Sequence, residues 1–263
     1  MYAQITACLD RVRSGQPLIH NITNQVVTNN TANALLAIGA SPIMSSAPEE
    51  VCDMVSLSGA LVINTGTLSS GQVSSMLLAV EKAGELNKPW VLDPVGAGAT
   101  AFRLRENQKL LALKPTVIRG NASEILALLT GRAGGKGVDS EDSSDSTLDF
   151  LQSKARELGT VIAVTGATDY IANGERLARI DNGDPMMSRV TGTGCTATAL
   201  TGAFLATTEC PWLATVASLT CLGIAGELAA LDCPGPGSLQ LRLLDQLYRL
   251  NGLNIEQRLK IKT

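Results

Sequence analysis

Six short apolar runs, each closed by polar or turn residues, alternate with longer stretches of helical character. The runs are PLIHNI (17–22), ASPIM (40–44), ALVINTG (60–66), PWVLDPV (89–95), TVIRGN (116–121) and VIAVTG (161–166). Helical segments at 25–38, 48–58, 71–86, 104–113, 122–130 and 147–158 fall between and after them. Runs this uniformly apolar must be covered on both faces, and parallel neighbours need a crossover long enough to hold a helix. The rhythm predicts an α/β chain with a mainly parallel central sheet and helices on both faces. A hairpin turning at Asn173-Gly174 follows, and from Gly194 onward the pattern is almost wholly helical, with room for three helices.

Strand-helix alternation resumes after the Gly- and acid-rich segment at 131–146, so that segment reads as a surface loop inside one domain spanning 1–263. The chain is 45% apolar and 17% charged, enough to bury a large core. A net charge of −3 with no Lys/Arg run argues against nucleic acid or an anionic membrane as partner. The uncharged stretch at 210–226 contains Pro211, Ser218 and several threonines and reads as a core helix. It also offers apolar surface that an oligomer could bury. Six cysteines without CxxC spacing suit reduced thiols in a cytoplasmic protein.

Ligands of such sheets gather at the carboxyl ends of the strands. The residues there are Asn24, Met44, Asn64 to Thr67, Asp93, Arg119 to Glu124, and Thr165 with Gly166. Neither Gly96-Ala-Gly98 nor Gly192-Thr-Gly194 carries through a dinucleotide fingerprint, because no acidic residue ends the next strand. GRAGGKG lacks the spacing and the Ser/Thr of a P-loop.

Val190-Thr-Gly-Thr-Gly-Cys195 reads differently. A glycine-rich turn opening a helix leaves unpaired N–H groups and a positive dipole end, a cradle for an anion. Cys195 would lie in the first turn, where that field lowers a thiol pKa; a small buried cysteine packing the helix start fits the position too. Asp93, ending a strand before Gly-rich chain, suits Mg²⁺ or a phosphate-facing role. Asn121-Ala-Ser-Glu124 can serve the same site or simply cap a helix. The single histidine, His20, suits an orienting role, and no G-x-S-x-G is present to support a Ser-His-Asp hydrolase.

Taken in order, HNITNQVVTNNTANALLAIGASPIM, NTGTL, LDPVGAGAT, IRGNASEI, VTG…DYI…NGDPMM…VTGTGC and GPGS resemble the hydroxyethylthiazole kinases, a thiamine-salvage family of the ribokinase-like superfamily. The likeness runs from about Pro17 to Ser238. It implies a nine-stranded mixed sheet, a homotrimer with sites between subunits, and ATP- and Mg²⁺-dependent phosphorylation of a thiazole alcohol. By the same resemblance, Met44 and Gly192 line the thiazole pocket with Asn24 nearby, and Arg119 and Thr165 contact ATP. Asp93 and Glu124 organise Mg²⁺, while Gly192, Thr193, Gly194 and Cys195 form the catalytic anion hole. Most superfamily relatives carry aspartate where this chain has Cys195. Other ribokinase-like enzymes, such as a hydroxymethylpyrimidine kinase or an ATP-dependent NAD(P)H-hydrate dehydratase, and a non-catalytic binding protein are the alternatives.

Overall fold

The computed structural model describes residues 1–132 and 145–263. The Gly- and acid-rich loop expected at 131–146 therefore lies almost entirely outside the described residues. The strands are β1 (Leu18–Ile22), β2 (Ser41–Ile43), β3 (Ala60–Asn64), β4 (Trp90–Asp93), β5 (Val117–Asn121), β6 (Val161–Thr165), β7 (Asp169–Ala172), β8 (Leu177–Ile180) and β9 (Ile261–Lys262). The helices are α1 (Tyr2–Gly15), α2 (Thr28–Ile38), α3 (Val51–Leu57), α4 (Ser70–Glu85), α5 (Ala101–Ala112), α6 (Ala122–Thr130), α7 (Asp145–Leu158), α8 (Thr193–Leu205), α9 (Pro211–Ala230), α10 (Pro236–Arg249) and α11 (Gly252–Arg258).

All these strands join one sheet in the order β2-β1-β3-β4-β5-β6-β7-β8-β9, parallel through β6 and antiparallel beyond. The mainly parallel sheet expected from the alternation is present. Successive strand side chains point to opposite faces, and both faces are buried. Val62, Val91 and Val117 pack with α1, α2, α8, α9, α10 and α11. Leu61, Ile63, Leu92 and Ile118 pack on the other side with α3, α4, α5, α6 and α7. This two-sided burial is why the strands read as continuous apolar runs rather than as alternating ones.

Helix boundaries follow local chemistry. Ser69 caps α4 by accepting from Gln72 N, and Thr100 caps α5 by accepting from Arg103 N. Proline occupies the first helical position of α9 and of α10, where its missing N–H costs nothing. α9 is long and apolar enough to cross a membrane by length and composition, yet 78% of its apolar window is buried against the rest of the chain. It packs on α8, α10 and the strands β6 to β8, so its surface is core and is not left over for an oligomer.

The tail differs from the three helices expected. Four helices follow Gly192, and β9 closes the sheet edge against β8. α11 spans seven residues around an Asn251–Asn254 capping box, and β9 spans two; such short pieces carry no readable period. The 3₁₀ turn at Pro185–Arg189, capped by Asp184, is likewise too short for its pattern to show.

Candidate active site

The connection β1-α2-β2 turns to one side of β1 and the path to β3 returns to the other, so the sheet reverses its winding beside β1. Clefts form at the carboxyl ends of strands flanking such a switch. Asn24 lies two residues past β1, and Asn64 and Asp93 end β3 and β4 as register partners. All three are buried.

They form one hydrogen-bonded chain. Asn24 Nδ2 donates to Asn64 Oδ1 (2.8 Å), and Asn64 Nδ2 donates to Asp93 Oδ2 (2.7 Å). Thr198 Oγ1, from the second turn of α8, donates to the same Asp93 oxygen at 2.7 Å. Asp93 Oδ1 is buried and takes no donor. Burial pushes the Asp93 carboxyl up to about 6; Arg119, with Nη1 3.9 Å from Oδ2, pulls it down, and nearby Glu124 pushes it up.

Glu124 serves both readings of the Asn121-Ala-Ser-Glu124 tetrad at once. Its Oε2 accepts from Asn121 N (2.9 Å) while Asn121 Oδ1 accepts from Glu124 N (2.9 Å), completing a capping box on α6. Its Oε1 accepts from Gly96 N at 2.8 Å, fastening the loop after Asp93. Among the described residues no group of three or more His, Cys, Asp or Glu could hold a metal ion. Asp93 fits Mg²⁺, which takes one or two carboxylates plus water and substrate phosphate, and the charge of Glu124 lies close enough to raise the pKa of Asp93. The buried, unpartnered Asp93 Oδ1 is a free hard donor of the right kind.

The Gly192–Cys195 turn opens α8 as expected. Gly192, the N-cap, has φ 83°, and a Cβ there would lie 2.6 Å from a Val27 methyl. The first α8 bond joins Thr196 N to Gly192 O (2.8 Å), so the N–H groups of Thr193, Gly194 and Cys195 precede the intrahelical ladder. Arg119 lies directly against Gly194, where a Cβ would approach Nη1 to 2.7 Å. Arg119 Nη2 also donates to Thr165 Oγ1. Arg119, Thr165, Gly166, Asp169, Thr193 and Gly194 line a cavity of about 560 Å³, with Leu219 and Leu222 on an apolar wall.

Cys195 departs from expectation. Burial raises its thiol pKa, and Asp93 raises it further; the amides of Asn64 and Asn24 and the Arg119 charge only partly oppose this. Its sulfur accepts from Asn24 Nδ2 at 3.4 Å. Desolvation and a neighbouring carboxylate thus keep the group mainly a thiol at neutral pH.

Met44 follows β2 at the same sheet end, half-buried, but does not line the cavity that Arg119 and Thr165 share. Neither does Glu124, which holds Asn121 N and Gly96 N, nor do Asn24, Asp93 and Cys195, which sit in the bonded layer beside it. His20 orients a neighbour: its Nε2 pairs with Ser45 O at 3.0 Å, and burial lowers its pKa. Sequence reasoning gave no role to Thr198 or Asp169. Thr198 stands three residues after Cys195, hence on the same face of α8. Asp169 starts β7 and accepts from Gly166 N at 3.0 Å; burial pushes its carboxyl up to about 6 against that bond and the Arg119 charge. A second cavity, about 1090 Å³, lies at the β7–β9 edge beside Tyr170, Arg176 and Trp212 and contains no predicted site residue.

A two-sided, mainly parallel sheet with an open helix start and an Arg–Thr pair at its strand ends defines an α/β protein of the ribokinase-like class. A ribokinase-like superfamily protein from Enterococcus faecalis has the same fold, with a TM-score of 0.65 at 14% identity over 91% of this chain and 89% of its own. Residues 9–252 match the hydroxyethylthiazole kinase family. A hydroxyethylthiazole kinase of Leptospira biflexa is 51% identical over 255 residues, 97% of this chain and 96% of the relative. The solved structure of a hydroxyethylthiazole kinase protein from Pyrococcus horikoshii is similar with a TM-score of 0.91 at 48% identity, over 98% of each chain. The chain belongs to the hydroxyethylthiazole kinase family, and so to the phosphotransferases.

Proposed function

We propose that the chain, acting as one domain, transfers the γ-phosphoryl group of ATP to the hydroxyl of 4-methyl-5-(2-hydroxyethyl)thiazole, in thiamine salvage. The observation that carries this reading is Arg119 laid against Gly194 at the start of α8, beside the bonded Asn24–Asn64–Asp93 layer. Charge-bearing phosphate and a neutral acceptor hydroxyl then meet on opposite sides of one helix start.

Arg119 and Thr165 hold the nucleotide phosphates from the 560 Å³ cavity, whose apolar wall suits a base. Asn24, Met44 and Gly192 hold the thiazole. Asp93 and Glu124 would hold Mg²⁺, which supplies charge neutralisation across the phosphates when bound. The N–H groups of Thr193, Gly194 and Cys195 stabilise the phosphoryl group as it moves, in line, to the hydroxyl. Phosphoryl transfer through a loose transition state depends mainly on positioning and electrostatics. Cys195 orients the hydroxyl and, through the small fraction present as thiolate, takes its proton as the bond to phosphorus forms, a modest contribution beside positioning.

The working unit is a homotrimer with sites shared between subunits. Val26, Leu36, Leu241 and Tyr248 are exposed at 64%, 58%, 70% and 74%, on the segment after Asn24 and on the packed pair α2 and α10. Exposed apolar groups on these elements suit burial by a second copy. The enzyme works in the cytoplasm, where the six cysteines, all free in the structure, stay reduced.

The test is ADP release measured with the thiazole, with other small alcohols, and with buffer, at saturating Mg²⁺. Faster release with the thiazole is the expected result; release no faster than with buffer refutes the assignment. Sedimentation at micromolar concentration should give the trimer mass, and a monomer would overturn the shared-site arrangement.

A further inference from the structure

We infer that Asn64 is the positioning residue of this site: its amide holds Asp93 by one carboxylate oxygen and Asn24 by the other end, leaving Asp93 Oδ1 free for the ligand. The inference rests on the phosphoryl-transfer reading above.

The orientation of the Asn64 amide is dictated rather than chosen. A backbone N–H can only donate, and Gly66 N reaches Asn64 Oδ1 at 3.0 Å. The oxygen therefore faces Gly66 and Asn24, and Nδ2 must face Asp93. Asn24 is fixed in the same way, because its own Oδ1 accepts from Val26 N at 3.1 Å. Its Nδ2 is thereby turned to both Asn64 and the Cys195 sulfur. One side chain thus sets the geometry of the carboxylate on one side and of the acceptor-side amide on the other.

At Asp93 the two oxygens are treated unequally. Oδ2 is saturated by Asn64 and Thr198, while Oδ1 is buried with no partner. A buried acceptor left unmade is costly in a native fold unless something outside the chain completes it. Pinning one oxygen so that the other keeps a fixed direction is how outer partners orient a metal- or phosphate-facing carboxylate.

The experiment compares wild type, Asn64→Ala, Thr198→Val and the double variant. Mg²⁺-dependent ADP binding is followed by calorimetry without thiazole, kcat and both KM values are measured in the coupled assay, and a thermal melt checks folding. Thr198→Val should raise the Mg²⁺ needed for half-maximal ADP binding and lower kcat, each by about 10-fold, with the thiazole KM unchanged. Asn64→Ala should do the same by about 10–100-fold and also raise the thiazole KM, because Asn24 is released. The double variant should fall short of the product of the single effects, since both bonds end on one oxygen. If Asn64→Ala does not fold, Asn64→Ser, which keeps a hydroxyl, takes its place. A folded variant at Asn64 with wild-type Mg²⁺ requirement and kcat overturns the inference, as do fully independent effects. A wild-type protein that releases no ADP fails the function reading instead, and the Mg²⁺ titration of ADP binding still tests Asn64.

Discussion

Arg119 and Thr165 bond side chain to side chain across neighbouring parallel strands, although 46 residues separate them. The same guanidinium reaches toward Asp93, lies on Gly194, and keeps its buried Nε without a partner. It therefore has donor capacity left for a ligand, in a fork suited to phosphate oxygens.

Replacing Arg119 with alanine should raise KM for ATP by about 10-fold or more, the worth of a hydrogen bond to a charged group, and raise KM for the thiazole less. Arg119→Lys should recover only part of the loss, because a point charge cannot reproduce the fork. Steady-state kinetics with each substrate varied in turn decide the matter. An effect confined to the thiazole would move Arg119 to the other pocket.

At Cys195 the thiol keeps its proton because burial and Asp93 raise its pKa. Cys195→Asp, a group ionised at neutral pH and the usual residue in superfamily relatives, should keep or increase kcat. Cys195→Ser, with a hydroxyl that hardly ionises, should lower it. If Cys195 only packs the helix start, the order reverses: Ser is harmless and Asp damages folding by burying a charge. Measuring kcat for both variants, with a melt on each, separates the two.

The two glycines of the α8 start should fail differently. Gly192→Ala forces a side chain into a left-handed conformation and against Val27, so it should cost about 1–2 kcal/mol from backbone strain alone, seen as a lowered Tm. Gly194→Ala carries no such strain but pushes the Arg119 guanidinium away. It should raise KM for ATP with little change in the melt. Equal losses of stability in both variants would show that Gly194 has no special tie to Arg119.

Asp169 sets a pH dependence on stability. The folded chain holds this carboxyl proton up to about pH 6, more tightly than an unfolded chain, whose ordinary value is 3.8. Its contribution therefore favours the fold as pH falls from 6 toward 4 and disfavours it above 6. Asp169→Asn keeps an oxygen for Gly166 N–H and removes the charge. Its unliganded Tm should exceed that of wild type at pH 7.5, and the gain should vanish near pH 4. A gain constant across that range would place the effect elsewhere.

Much of the fold was legible because it depends on neighbours in sequence. Apolar runs ending in polar residues located the strands and the sheet end that carries the candidate site, and Asn173-Gly174 located the hairpin. Asn121 and Glu124 announced their capping box because both partners lie within one helical turn. What the tertiary structure alone decided involves groups brought together from far apart. Thr198 and Asp93 meet across 105 residues, and Asn24 and Asn64 across 40, so no local pattern could pair them. Nor could position in a helix predict the thiol at Cys195. A pKa answers to every charge and every lost water around the group, and here burial and Asp93, neither visible from the local sequence, raise it.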